Sequence, residues 1–190
     1  MESAMITNTI ERRFSTELRV DTAAQKIIGY AAKYDLSSED LGGFREYVRP
    51  GAFQRSLDSD PDVRALIDHN PSLILGRTVS GTLRLESDAI GLKVIIDPPD
   101  TQYAADLMAV MSRGDVSQMS FAFTTSEDSW DLVDGQRVRS LLAVELHDVS
   151  VVTYPAYPDT TVAVRSLSIY TRDALASARR FRELRLRGKQ

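Results

Sequence analysis

His69 and His147 are the only imidazoles in the 190 residues. Imidazole is the side chain whose charge changes near neutral pH, so general acid–base chemistry there has few places to sit. His69 lies in Asp68-His69-Asn70, at the end of an extended stretch and directly before Pro71. Strand ends of this kind deliver reactive side chains into loops. Ser120 lies in Gln118-Met119-Ser120-Phe121-Ala122-Phe123, a hydroxyl among apolar strand residues. A buried hydroxyl needs a hydrogen-bond partner. If that partner is neighbouring backbone the serine is structural; if it is an imidazole the serine becomes an activated nucleophile. Glu145-Leu146-His147-Asp148 sets three polar side chains into an otherwise apolar stretch. In a regular strand Glu145 and His147 share one face and Asp148 takes the other. A solvated face accounts for Glu145 and His147, but aspartate is depleted in strands. A carboxylate or imidazole in a sheet can orient another histidine, the third role in a triad.

Other chemistries have no support. The chain contains no cysteine, which removes cysteine nucleophiles, thiolate zinc sites and iron–sulfur clusters. Asp58-Ser59-Asp60-Pro61-Asp62 alternates carboxylates but lacks the glycine and distal glutamate of a calcium loop,. There is no P-loop and no Gly-x-Gly-x-x-Gly after a strand,. No apolar run approaches the ~20 residues that span a bilayer. The N-terminal text MESAMITNTIERRF has no signal-peptide core,. A soluble cytoplasmic protein is expected.

The elements that must hold these residues are mostly strands. Hydrophobic residues make up 43% of the chain, enough at this length to bury a core without disulfides. Strands are expected over 26–34, 45–48, 63–69, 78–86, 90–96 and 117–124, with a hairpin at Ser87-Asp88-Ala89. Pro71 is expected to end the strand before it, and 137–154 reads as one bent strand or two. A short helix is expected over 52–58, with Phe53 and Leu57 one turn apart. A longer one is expected over 101–113. There Asp100 or Thr101 can cap, Tyr103, Leu107, Val110 and Met111 form a stripe, and Gly114 can terminate. Residues 1–16 read as a frayed arm and 127–136 as an exposed polar loop. The class is α+β, with a mainly antiparallel sheet or barrel and a few helices. Leu167, Tyr170, Ala174, Ala178, Phe181 and Leu184 recur at helical spacing, marking an amphipathic terminal helix whose other face carries arginines. Residues 164–190 hold eight basic and two acidic side chains, a net +6 that leaves −10 for the rest of the chain. That segment is either a solvated helix face or a docking segment for an acidic partner. Its few interleaved aromatics speak against nucleic acid.

Several short texts, taken in order, resemble the prohead serine proteases of tailed bacteriophages. They are Gly29-Tyr30-Ala31, Val48-Arg49-Pro50-Gly51-Ala52-Phe53, Asp68-His69-Asn70 followed by Ile74-Leu75-Gly76-Arg77-Thr78, Met119-Ser120-Phe121, and Asp148-Val149-Ser150-Val151-Val152-Thr153-Tyr154-Pro155-Ala156. Each text alone is unspecific; the ordered set is what carries the resemblance, from about residue 27 to residue 164. It implies a fold related to the herpesvirus maturation protease, an antiparallel β-barrel flanked by helices. The expected organisation is a flexible arm over 1–16, a protease domain over 17–164 and a basic helical tail over 165–190.

The resemblance implies His69 as general base, Ser120 as nucleophile and Asp148, directly before the VSVV text, as third member. Herpesvirus enzymes use a histidine in that third role, so His147 remains a rival and Glu145 a further one. Gln118 stands where the family text often has glycine before MSF. The oxyanion hole falls, by analogy, in the backbone around 154–157. No metal or organic cofactor is implied. The implied function is that of a phage capsid-maturation serine endopeptidase. It would cut scaffold, or the scaffolding segment of the major capsid protein, and then itself, inside the prohead in the host cytoplasm. Those proteins are the expected partners, with no specific nucleic acid and no membrane. A homodimer is an open expectation from the herpesvirus relatives. The alternative is a non-enzymatic scaffold or assembly protein that keeps the protease fold. A serine hydrolase of another substrate class is disfavoured, because no Gly-x-Ser-x-Gly elbow is present.

Overall fold

Burial that alternates residue by residue marks the strands whose one face meets a core. The computed structural model describes residues 9–15, 17–154 and 171. Its elements in chain order are β1 (Glu11–Ser15), β2 (Glu17–Asp21), β3 (Lys26–Lys33), β4 (Phe44–Val48), α1 (Gln54–Asp58), β5 (Arg64–Ile67), β6 (Asn70–Arg77), β7 (Leu83–Ser87), β8 (Gly91–Ile96), α2 (Gln102–Arg113), β9 (Gln118–Val133) and β10 (Gln136–Val152). One sheet runs β1-β9-β10-β5-β6, with β4 also on β10, and the other runs β2-β3-β8-β7. β4 and β5 lie parallel to β10; the other ladders are antiparallel.

The strand-rich α+β class is as expected, but the barrel is not. Among the described residues the strands form two open sheets and no closed ring. β1 and β2 are separated by a single residue yet belong to different sheets, so the chain changes sheets there instead of extending one ladder. Ile27, Val94 and Ile96 of one sheet share a core cluster with Phe121, Phe123, Val149 and Val151 of the other, and with Ala104, Leu107 and Met111 of α2. α2 ends as expected at Gly114, whose φ of 87° is the left-handed cap conformation,. Thr101 occupies its N-cap position, but the threonine hydroxyl is buried without a partner and makes no capping bond. Of the helix expected over 165–190, all but residue 171 lies outside the described residues. No helix among the described residues is long and apolar enough to cross a membrane.

β10 organises the site-bearing sheet. β4 pairs with it over 137–141 and β5 over 148–151, both on one edge. Between them that edge is closed by the segment entering α1. Val144 N–H donates to the Ala52 carbonyl and Leu146 N–H to Ser56 Oγ, each at 3.0 Å. Val144 and Leu146 are buried, and buried amides cannot be left unpaired,, which gives the Pro50-Gly51-Ala52-Phe53 text a structural purpose.

Three expectations are corrected here. First, part of the frayed arm is β1, held in the sheet by buried charge. Glu11 and Arg139 are each 2% exposed. Arg13 Nε contacts Glu46 Oε1 at 2.7 Å, and Arg139 Nη1 contacts Glu11 Oε2 at 2.8 Å and Glu46 Oε2 at 3.0 Å. Burial works to raise the Glu11 carboxyl, but the charges and hydrogen bonds of Arg139, then Arg13, outweigh it and hold it below the ordinary glutamate value,. Second, the expected loop at 127–136 is largely the continuation of β9 into a hairpin with β10. Its turn is Asp134-Gly135, with φ of 50° and 79°. The run is polar because this ribbon leaves the core. Third, Pro71 does not end strand structure. β6 starts at Asn70, as an edge strand, where a missing N–H is tolerated,.

Candidate active site

His69 owes its position to an uncommon turn. β5 and β6 are joined by the two residues Asp68 and His69, with φ of 50° and 54°. Positive φ at both central residues is the signature of a type I′ hairpin turn, which Asn-Gly or Asp-Gly fills most easily. The β9–β10 tip obeys that preference with Asp134-Gly135; the β5–β6 turn puts histidine where glycine would sit. Non-glycine residues at such φ mark places where surrounding structure holds the backbone. Asp68 N–H donates to the Val151 carbonyl at 2.9 Å. The Asp68 carboxylate accepts from Thr153 N–H at 2.8 Å and from Thr153 Oγ1 at 3.0 Å. Along β6, Gly76 permits close packing, since a Cβ there would fall 2.6 Å from the Thr82 carbonyl oxygen.

Ser120 and Asp148 reach the same place from neighbouring strands. Phe121 and Phe123 of β9 point into the core, so Ser120 and Ala122 face the other side of the sheet. The register sets Ser120 opposite Ser150 and Ala122 opposite Asp148. Asp148 keeps that face because of a β-bulge. Leu146 pairs with Phe123 and Asp148 with Ala122, so His147 is an extra residue on β10,.

The imidazole bridges the two strands. His69 Nε2 lies 2.8 Å from Ser120 Oγ, and His69 Nδ1 lies 2.6 Å from Asp148 Oδ1. Ser150 Oγ donates to Asp148 Oδ1 at 2.9 Å and lies 3.2 Å from His69 Nδ1. A carboxylate can only accept, so Nδ1 carries the proton and Nε2 is free to accept from the serine hydroxyl. The His69 and Asp148 side chains are 10% and 17% exposed, and Ser120 is fully buried. Arg64 is the β5 register neighbour of Asp148, but its guanidinium turns to Asp62 at 3.2 Å.

The structure thus brings together His69, Ser120 and Asp148. It does not bring His147 or Glu145 to the imidazole of His69. His147 Nε2 lies 2.6 Å from Thr124 Oγ1, and Glu145 is exposed. Both line an open groove of about 640 Å³ along β10, together with Arg55, Ser56 and Arg64. Sequence reasoning missed Ser150 and the Asp68–Thr153 contact. The signal for Ser150 was its spacing of two from Asp148, which puts both on one strand face. Of the segment expected to hold the oxyanion site, Tyr154 is described and 79% exposed, while 155–157 lie outside the described residues. Among the described residues no three His, Cys, Asp or Glu side chains gather as a metal site would require.

A serine hydroxyl, an imidazole and a carboxylate in line form the arrangement of a serine hydrolase. The family profile described as caudovirus prohead serine protease matches residues 13–173. The chain belongs to this family. It is 28% identical, over 138 residues, to the prohead protease of Enterobacteria phage HK97, an alignment covering 71% of this chain and 57% of that protein. The chain therefore spans little more than half the length of that relative. Among solved structures, the capsid assembly protease of bacteriophage T4 superposes with a TM-score of 0.49 at 8% identity, over 76% of this chain and 99% of that one.

Proposed function

We propose that this member of the prohead serine protease family is an active capsid-maturation endopeptidase, with Ser120 as nucleophile, His69 as general base and Asp148 as the carboxylate that fixes the imidazole. The observation that carries the reading is the 2.8 Å contact from Nε2 to Ser120 Oγ, on a ring whose other nitrogen sits 2.6 Å from a carboxylate. A serine hydroxyl is far too weak an acid to ionise at neutral pH, so its proton must go to a base as it attacks. Ser120 Oγ bonds to the peptide carbonyl carbon while its proton passes to His69 Nε2. The same proton then goes to the amine as the C–N bond breaks, leaving an acyl-serine. Water repeats the sequence and releases the acid, returning the proton to Oγ. Asp148 stays ionised throughout, holding the tautomer and stabilising the imidazolium.

Family membership supports a substrate among the proteins of the immature capsid: scaffold, or the scaffolding segment of the major capsid protein, followed by self-cleavage. One observation favours the non-enzymatic alternative. Ser120 has no exposed surface, so a substrate must open a path to it. The two readings separate on a gel. Purified protein incubated for hours should trim itself, and Ser120→Ala should remain full length. A wild-type chain that stays intact and leaves scaffold peptides uncut would favour the assembly protein.

A further inference from the structure

Asp68 makes no contact with the reacting groups in the relay above, yet it ties the His69 turn to the end of β10 through its N–H and to Thr153 just beyond through both carboxylate oxygens. We propose that Asp68 is a positioning residue. Its carboxylate clamps Thr153 and so holds the His69 turn against the end of β10, fixing the imidazole over Ser120 and Asp148. The proposal rests on the protease reading for its catalytic consequence, though not for its geometry.

Three observations carry it. First, the imidazole and its two partners sit on different elements. His69 is on the β5–β6 turn, Ser120 on β9 and Asp148 on β10. The β5–β10 ladder ends at Ile67 opposite Val151. Beyond it the turn is bonded to β10 by Asp68 N–H to the Val151 carbonyl at 2.9 Å. Past the strand's end come the two carboxylate bonds to Thr153, at 2.8 and 3.0 Å. Second, the turn receives little support from β6. The register jumps from Leu66 opposite Ile74 to Ile67 opposite Asn70, leaving 71–73 outside the ladder, and Pro71 has no N–H to offer,. Third, both turn residues adopt a left-handed conformation that glycine takes freely and histidine does not,. A turn that its own sequence favours weakly, and that its partner strand holds weakly, depends on the β10 side for its shape.

A local explanation competes: aspartate tolerates the left-handed region, so Asp68 could serve only to form the turn. Two substitutions separate the ideas. Asp68→Gly keeps the backbone freedom and deletes the clamp. Asp68→Asn keeps an acceptor for Thr153 N–H and offers an amide donor to Thr153 Oγ1, while removing the charge. The probe is a fluorogenic peptide spanning the chain's own self-cleavage site, mapped by mass spectrometry on the wild type. Asp68→Gly should lower kcat about tenfold or more with KM little changed, because small misplacements of a reacting group are costly. Asp68→Asn should restore kcat. Wild-type kcat in Asp68→Gly, or equal damage in Asp68→Asn, would overturn the clamp. Histidine side-chain NMR supplies a readout that needs no turnover. The His69 Nδ1–H resonance should be sharp and far downfield in the wild type and Asp68→Asn, and broadened by exchange in Asp68→Gly. An unchanged resonance in Asp68→Gly overturns the proposal even if no peptide is cut. A wild type that cuts nothing, but shows the expected spectra, removes the protease reading and leaves the clamp standing.

Discussion

The carboxylate of Asp148 accepts from two donors, the His69 ring and the Ser150 hydroxyl, and each can be tested separately. Asp148→Asn should present an amide where Nδ1–H needs an acceptor, and the wrong tautomer costs about 10⁴ in kcat in triad enzymes. Ser150→Ala leaves the carboxylate with the imidazole alone. The expected loss is nearer tenfold, the scale of about 1–1.5 kcal/mol for one hydrogen bond. Timed self-cleavage on a gel measures both, and Ser150→Ala falling as far as Asp148→Asn would mean that the hydroxyl does more than orient. Acidification should also slow cleavage, because an imidazolium cannot accept the serine proton. A rate that does not fall on acidification would remove His69 as base. His69, Ser120 and Asp148 stood out as candidates beside Glu145 and His147, and only the resemblance ranked them; what the structure adds is their hydrogen-bond distance from one another. Ser150 did not stand out, because a serine inside VSVV reads as strand filler until the register sets it opposite Ser120.

The elements were legible where burial was apolar and hidden where it was ionic. Gly114 and the stripe through Leu107 and Met111 announced α2, and the structure agrees. β1 offers only Glu-Arg-Arg-Phe-Ser, with no hydrophobic alternation to read. Its core-facing residues are Glu11 and Arg13, buried by pairing with Arg139 and Glu46. The ribbon over 127–133 was hidden for another reason, since it leaves the core and carries polar residues, although its Asp134-Gly135 turn is a recognised hairpin signal,. Removing β1 should therefore not behave like trimming a loose arm. Loss of one partner from a buried pair costs about 3–5 kcal/mol, so Glu11→Ala should lower the thermal midpoint by well over 5 °C on the scale of about 2–4 °C per kcal/mol. The sign with pH follows from the lowered Glu11 carboxyl. Its contribution is complete above the ordinary glutamate value of 4.5 and is lost as pH falls below it,. Denaturant midpoints should hardly depend on pH from 8 to about 5 on this group's account and drop below that, with the drop smaller in Glu11→Gln. An equal acid drop in both proteins would assign it to other carboxylates.

At the scale of the whole molecule the charge is divided, with a net +6 over 164–190 against −10 elsewhere. If that basic segment serves to hold an acidic scaffold during assembly, deleting it should abolish encapsidation and leave cleavage of free peptides intact. Normal packaging of the truncated protein, scored by counting copies per purified prohead, would dismiss the idea. Overall architecture was legible only as a class. The element pattern left sheet or barrel open and the resemblance chose the barrel, because local sequence carries no signal for whether two sheets close, which depends on how distant edges meet. β10 has a further consequence, in time rather than in space. It is the last strand of the described chain, and β4, β5 and β9 all pair with it. β9 is its hairpin neighbour, but the pairings with β4 and β5 join segments far apart in sequence and form slowly,, and synthesis proceeds from the N-terminus. A ribosome that has not yet reached residue 148 carries a serine and a histidine with no strand to register them and no acid to orient the ring. If the three groups act as proposed, proteolytic competence would arrive only once residue 148 is made and β10 has paired, leaving a half-made polypeptide without it.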